Sequence, residues 1–248
     1  MAVDTYHCLN PIPFQINTEK LFKLLCIKKA DDPCADRILE LAGMAQEIAR
    51  PKALYRLCRF EKQTADAVNV ENVTLSSRVL RVNLEPVHRV FVGLSTCGSE
   101  ILQLMNVATD MLERYWVDVM MEMALRAADQ ALDAHIQLTY QPGPLSSMCP
   151  GSIEDWPITE QKPLFDIIGN QAREIGVTLS GSMLMEPIKS LSRVIFPSES
   201  RFQSCQLCPM DRCTSRKVPY DPEQMATRYV ERSDNHDKDT RNYDPVID

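Results

Sequence analysis

The sequence predicts an α+β fold in which one long helix packs on an antiparallel sheet. Two patterns carry this reading. Met111, Leu112, Tyr115, Trp116, Val119, Met123, Ala127, Ala131 and Leu132 recur at intervals of three and four, the period of a helix with one apolar face. One helix is therefore expected from about Val107 to Ile136, with Leu112, Trp116, Val119 and Met123 against the sheet. Around it lie short segments rich in Val, Leu and aromatic residues, which is strand composition. With 248 residues, 44% of them hydrophobic and 25% charged, the chain is long enough to bury a sizeable core.

The elements follow in order. Thr18 caps a short helix reaching Cys26. Asp31 or Asp32 caps the next, with Pro33 in its first turn; it runs through Ile38, Leu39, Leu41 and Ile48 until Pro51 stops it. Leu54–Phe60, Val68–Val73, Val79–Leu84 and Arg89–Leu94 read as strands, and Ser95 to Gly98 make a turn into a helix. Tyr140 to Pro157 carries Pro142, Gly143, Pro144, Pro150, Gly151 and Pro157, a broken loop of the length that tends to be functional. A short helix through Leu164, Phe165, Ile167 and Ile168 ends at Gly169. Thr178–Leu184 and Ser190–Phe196 read as two strands joined by Glu186, Pro187, Ile188 and Lys189. The chain divides into an α+β domain over 1–200, a cysteine-rich extension over 201–230 and a charged tail over 231–248 that is expected to be flexible.

Charge and hydropathy exclude several functions. A net charge of −7 repels phosphate backbones, so nucleic acid is not an expected partner. No apolar run approaches the roughly 20 residues that span a bilayer, and no basic amphipathic stretch fits a membrane surface. Met1 to Gln15 lacks the basic start and apolar stretch of a signal peptide, which points to a cytoplasmic protein.

In that compartment thiols stay reduced, so clustered cysteines point to metal or redox chemistry rather than disulfides. Cys8, Cys26, Cys34 and Cys58 are scattered among apolar neighbours and read as small core residues. Cys205, Cys208 and Cys213 instead place three thiols within nine residues, ahead of Arg216 and Lys217. A Cys-x2-Cys turn points both sulfurs inward, the usual clasp on a metal. Three cysteines leave one ligand wanting, and Cys149 is the first candidate to supply it, with Cys97 the second. A 4Fe-4S cluster, zinc and plain thiols are the three readings of this set. His7, His88, His135 and His236 form no metal pair by local spacing and read as ordinary surface or core residues.

Three segments carry a resemblance: Thr96-Cys97-Gly98 ahead of a helix with Trp116, Asp118 and Glu122; Pro150-Gly151-Ser152-Ile153-Glu154-Asp155-Trp156-Pro157 followed by Glu160 and Gln161; and Ser182-Met183-Leu184-Met185 leading to Pro187, Lys189, Ser190, Leu191 and Ser192. In order and spacing, over roughly residues 10 to 197, the chain resembles the activation domain of cobalamin-dependent methionine synthase in free-standing form. The resemblance implies a twisted antiparallel sheet flanked by helices. It also implies docking on a corrinoid protein or methyltransferase, with S-adenosylmethionine bound while an electron rescues cob(II)alamin. The implied ligand-binding residues are Glu122, Ser147, Pro150, Gly151 and Ser152. The family's ligand loop reads Arg-x-x-Pro-Gly-Tyr, whereas Ser147 and Ser152 stand here at the arginine and tyrosine positions. A serine cannot replace a charge-assisted bond to a carboxylate, so S-adenosylmethionine binding is expected to be weak or absent.

The leading functional reading is an accessory protein for reductive activation or methionine synthase-like methyl transfer in a corrinoid-dependent system. It would pass an electron through an iron–sulfur cluster and draw on an electron-donor protein. The alternative is a non-catalytic module that binds a corrinoid protein and carries a structural zinc site. A third reading makes Cys149 a nucleophile, although no histidine can be set beside it from sequence.

Overall fold

The structure, a computed structural model, describes residues 6–27, 33–213 and 216–229. Its elements in chain order are β1 (Tyr6–Leu9), α1 (Thr18–Leu24), α2 (Ala35–Ile48), β2 (Lys52–Lys62), β3 (Ala67–Val70), β4 (Val73–Ser76), α3 (Arg78–Asn83) and β5 (Arg89–Thr96). Then come α4 (Leu104–Val107), α5 (Met111–Tyr140), β6 (Leu145–Met148), α6 (Gln161–Ile168), β7 (Thr178–Leu179), β8 (Met185–Glu186), β9 (Ser190–Pro197) and α7 (Pro222–Arg228). The main sheet is antiparallel in the order β4-β3-β2-β5-β9-β6, with β1 also paired to β2. The α+β class, an antiparallel sheet flanked by helices, is as the sequence predicts. The tail over 231–248 and the cap at Asp31 or Asp32 lie outside the described residues.

Alternation along the strands gives the sheet two apolar faces. Tyr55, Phe91 and Ile195 point to one side, where Ala128, Leu132 and Ile136 of α5 cover them. Leu54, Val90, Val92, Val194 and Phe196 point to the other, against Trp156 and against Leu164, Ile167 and Ile168 of α6. A third cluster joins the first half of α5 to α1 and α2, with Trp116, Val117 and Met120 meeting Leu21, Ile38 and Leu41.

The long helix exists, displaced by about one turn from its expected bounds. Ala108 takes an extended conformation that ends α4. Asp110 then caps α5, its side chain accepting from the Glu113 amide at 2.8 Å, while Glu113 accepts in return from the Thr109 amide at 2.9 Å. The packing expectation needs correction. Leu112 is 51% exposed, and Trp116 and Met123 are buried in the cluster with α1 and α2 rather than on the sheet. Only the second half of α5 lies on the strands.

Four other expectations change. Val79–Leu84 lies in a helix, α3, because Ser77 caps it by accepting from the Leu80 amide at 3.0 Å. Val68–Val73 divides into β3 and β4 at Glu71 and Asn72, which both take positive φ (50° and 67°) as a two-residue hairpin requires. Asn17, not Thr18, caps α1. The pair read as Thr178–Leu184 and Ser190–Phe196 separates: β7 pairs only with the short β8, while β9 joins the main sheet between β5 and β6.

Two histidines are less ordinary than local spacing indicates. His7 Nε2 is hydrogen-bonded to the Tyr140 hydroxyl at 2.8 Å, and His135 Nδ1 to the Tyr55 hydroxyl at 2.8 Å. The His7 and Tyr55 rings stack at 4.8 Å. The network ties β1 to the last turns of α5.

Trp116 is 5% exposed among apolar side chains, so Trp116→Ala is expected to cost roughly 3–5 kcal/mol of stability, measured by denaturant unfolding. Glu113 receives two bonds from the Arg37 guanidinium, at 2.9 and 3.0 Å. Arg37 holds its carboxyl down at about 2, below the ordinary 4.5. A depressed folded-state value means stability that is complete above 4.5 and is lost as pH falls toward 2. In acid unfolding, Glu113→Gln is expected to flatten that part of the pH profile and leave the profile above pH 5 parallel to the parent.

Candidate functional site

The Pro-Gly loop begins where β6 ends. β6 pairs with β9, Ser147 opposite Ile195, so Ser147 shares with Ile195 and Arg193 the face covered by α5. Cys149 and buried Pro150 follow, and Gly151 takes φ +80°. A Cβ on Gly151 would stand 2.9 Å from Ile158 Cδ1, so both conformation and space favour glycine here. The loop is closed from within: the Gly151 amide donates to the Trp156 carbonyl at 2.7 Å, and the Ser152 hydroxyl donates to the Cys149 carbonyl at 2.6 Å. It is also pinned from outside. Asp155 accepts from the Ser77 hydroxyl and from the Val79 amide, and Glu160 accepts from the Ser76 amide at 2.8 Å.

A chain of charges crosses α5 beside this loop. Lys189 Nζ is 2.9 Å from Asp118 and 3.9 Å from Glu122, and Glu122 also pairs with Arg126 at 2.9 Å. Arg126 lies near enough to Cys149 to act on its thiol, as do Arg193, Asp129 and Lys217. Arg193 is 4% exposed and sits 2.7 Å from Asp129 and 2.8 Å from Asp133. Glu122 thus lies between Lys189 and Arg126. Burial pushes the Cys149 thiol up to about 11, and pushes that of Cys97, in the turn after β5, up to about 12.

The cysteine extension lies next to the loop. Gln203 bridges Ser147 on the free edge of β6, two residues before Cys205. Cys205 is in a 3-10 turn over Ser204–Leu207, and Cys208 caps that turn. Cys205, Cys208 and Cys213 are all half-buried. The Arg216 guanidinium donates to the carbonyls of Cys205 at 3.1 Å, Cys208 at 3.2 Å and Met210, which curls the segment around one side chain. Phe202 and Tyr229, both buried, anchor the two ends in the core. Among the described residues, no three His, Cys, Asp or Glu side chains converge as a metal site.

Several residues here escape a sequence reading. Arg193 and Gln203 reach the loop region only through strand pairing and chain return, and no local motif marks them; Lys217 is marked only as a basic residue after the cysteines. Arg201, with φ 49°, lines a shallow hollow of about 440 Å³ along β6 with Leu145 and Gln203. Its cation is the one nearest in sequence to the Ser147 bridge.

No protein-family model and no curated protein matches the chain. Among solved structures, the MetH reactivation domain bound to AdoHcy is similar to it, with a TM-score of 0.59 over 82% of this chain and 81% of that one. The identity between the two is 12%, so the likeness is one of fold. The chain has the fold of the MetH reactivation domain.

Proposed function

We propose that this chain is an accessory activation protein for a corrinoid-dependent methyltransferase. The observation that carries the reading is a thiol-bearing extension seated, through Gln203 and Ser147, against β6, the strand that leads into the Pro-Gly loop of a reactivation-domain fold. The partner is a corrinoid protein, and the work is restoring its oxidised cobalt. Cys205, Cys208 and Cys213, with Cys149 as fourth ligand, are the donor set proposed for a 4Fe-4S cluster. Thiolate sulfur is the ligand such clusters take, and a bound cluster supplies a one-electron reductant. The donor types and their place beside the loop fit this cofactor. Their described geometry does not yet gather three ligands, so the residues' own work here is limited to holding the extension against β6.

Adenosylmethionine is proposed to bind weakly. Ser147 carries no charge, and the nearby Arg193 is already neutralised by Asp129 and Asp133. Losing one charged hydrogen bond removes about 1.5–3 kcal/mol, or roughly ten- to a hundredfold in affinity. Calorimetry is expected to give no micromolar binding to the parent protein, and Ser147→Arg is expected to raise affinity at least about tenfold. Micromolar binding by the parent protein would assign the cation's role to Arg201 or Lys217.

Anaerobically purified protein is expected to contain iron and sulfide, with visible absorption that dithionite bleaches. Cys208→Ser is expected to remove the metal and leave the helical circular dichroism intact. Colourless protein with stoichiometric zinc would instead favour the non-catalytic corrinoid-binding module. In an assay following cob(II)alamin on a corrinoid protein, parent protein with a reductant accelerates its loss, and Cys208→Ser does not. Equal acceleration by both would remove the cluster from the proposal.

A further inference from the structure

A cavity of about 780 Å³ opens at the other end of the sheet, where the start of β6 and the last turn of α5 meet. α5 stops at Tyr140, whose ring packs on Phe91 at 5.1 Å. The next residues outward on the same face are Arg89, two before Phe91 on β5, and Arg59, two after Leu57 on β2. They lie beyond the cover of the helix. The cavity floor is apolar, formed by Leu57, Phe91 and Tyr140. Its polar lining includes His88, Arg89 and Arg228 against one carboxylate, Glu199.

The arginines are the unusual feature. Arg59 and Arg89 stand directly opposite each other in the antiparallel register, both exposed. Like charges in that position are destabilising. Among the described residues, neither has a carboxylate within ion-pair distance. Arg228 likewise has none; its guanidinium bonds Asn83 Oδ1 at 3.2 Å and lies over the Tyr229 ring. This concentration of unpaired cation belongs to a chain whose net charge is −7. An apolar floor with a few convergent charges, in this size range, is the make-up of a small-molecule site.

We propose that this cavity binds an organic anion with an apolar body, such as a medium-chain carboxylate. The hydrocarbon lies on Leu57, Phe91 and Tyr140. The carboxylate meets Arg89, whose planar fork suits it, with Arg228 and His88 at the rim. The site is separate from the Pro-Gly loop, and the proposal stands on the cavity alone.

The test is a fluorescence titration with anilinonaphthalene sulfonate on the full chain, displaced by decanoate or by decanol. Saturable binding is expected, with decanoate displacing the dye at roughly tenfold or more lower concentration than decanol. Arg89→Gln is expected to weaken decanoate by roughly tenfold or more, Arg228→Gln to weaken it less, and Lys217→Gln, beside the other loop, to leave it unchanged. Equal displacement by decanol overturns the proposal, since the cavity would then be apolar surface only. So does decanoate binding that Arg89→Gln leaves intact while thermal stability falls, for Arg89 would then only offset the negative end of α5. Circular dichroism checks that each variant folds. If Arg89→Gln does not, Arg228→Gln decides between the same outcomes.

Discussion

The guanidinium of Arg193, clamped between Asp129 and Asp133, fixes where the long helix lies on the sheet. A buried charge without partners costs several kcal/mol, so α5 cannot slide along β9 without stranding it. The contact on either side of that charge is apolar and close. Gly93 of β5 faces α5 where a Cβ would stand 3.1 Å from Ile195 and 3.2 Å from Leu132, so the absence of a side chain lets Leu132 reach the strand. One ion cluster and one glycine therefore set both the register and the approach of the helix. β6 follows from this, because it pairs with the strand that carries Arg193. The Pro-Gly loop follows in turn from the end of β6.

Two separate regions result from one helix being shorter than the surface it covers. The middle of α5 passes beside the Pro-Gly loop and presents Arg126 and Asp129 there. Its last turn ends over Phe91, leaving Leu57 of β2 and Arg89 of β5 among the residues that line a cavity. The His7, Tyr55, His135 and Tyr140 network explains why the helix ends firmly at that point. It holds the final turns to β1 and β2 through two hydrogen bonds of 2.8 Å.

The sequence discloses most of what depends on local pattern. α2, α5, β2 and β5 are long and periodic, and the helical and strand readings find them within a turn or so. α3 is missed because six residues rich in Val and Leu fit either period. The deciding contacts are the Ser77 cap and Asp155, which arrives from the Pro-Gly loop. β1 is missed because four residues have no readable period. The candidate site divides in the same way. Pro150, Gly151 and the three clustered cysteines are legible as motifs. Arg193 and Gln203 are not, because what brings them to Cys149 and Ser147 is pairing between segments distant in sequence.

The thiols separate by environment, and this bears on which chemistry each can serve. Desolvation pushes the Cys149 thiol up to about 11, away from the thiolate. A nucleophile needs that thiolate, formed by an adjacent base or a lowered pKa. Among the described residues, no histidine is hydrogen-bonded to Cys149; its carbonyl, not its sulfur, holds the loop together. A metal is different, because it replaces the proton itself, so a ligand role survives burial where a nucleophilic role does not. Cys97 stands at about 12 and donates to the Gly98 carbonyl at 3.2 Å, inside a turn that has no room even for a Cβ at Gly98. It is fixed as part of the turn. Cys205, Cys208 and Cys213 are half-buried, as Cys149 is. In the proposed site, Cys205, Cys208 and Cys213 would be the first ligands and Cys149 the fourth, in an extension that meets the sheet at Ser147 of β6.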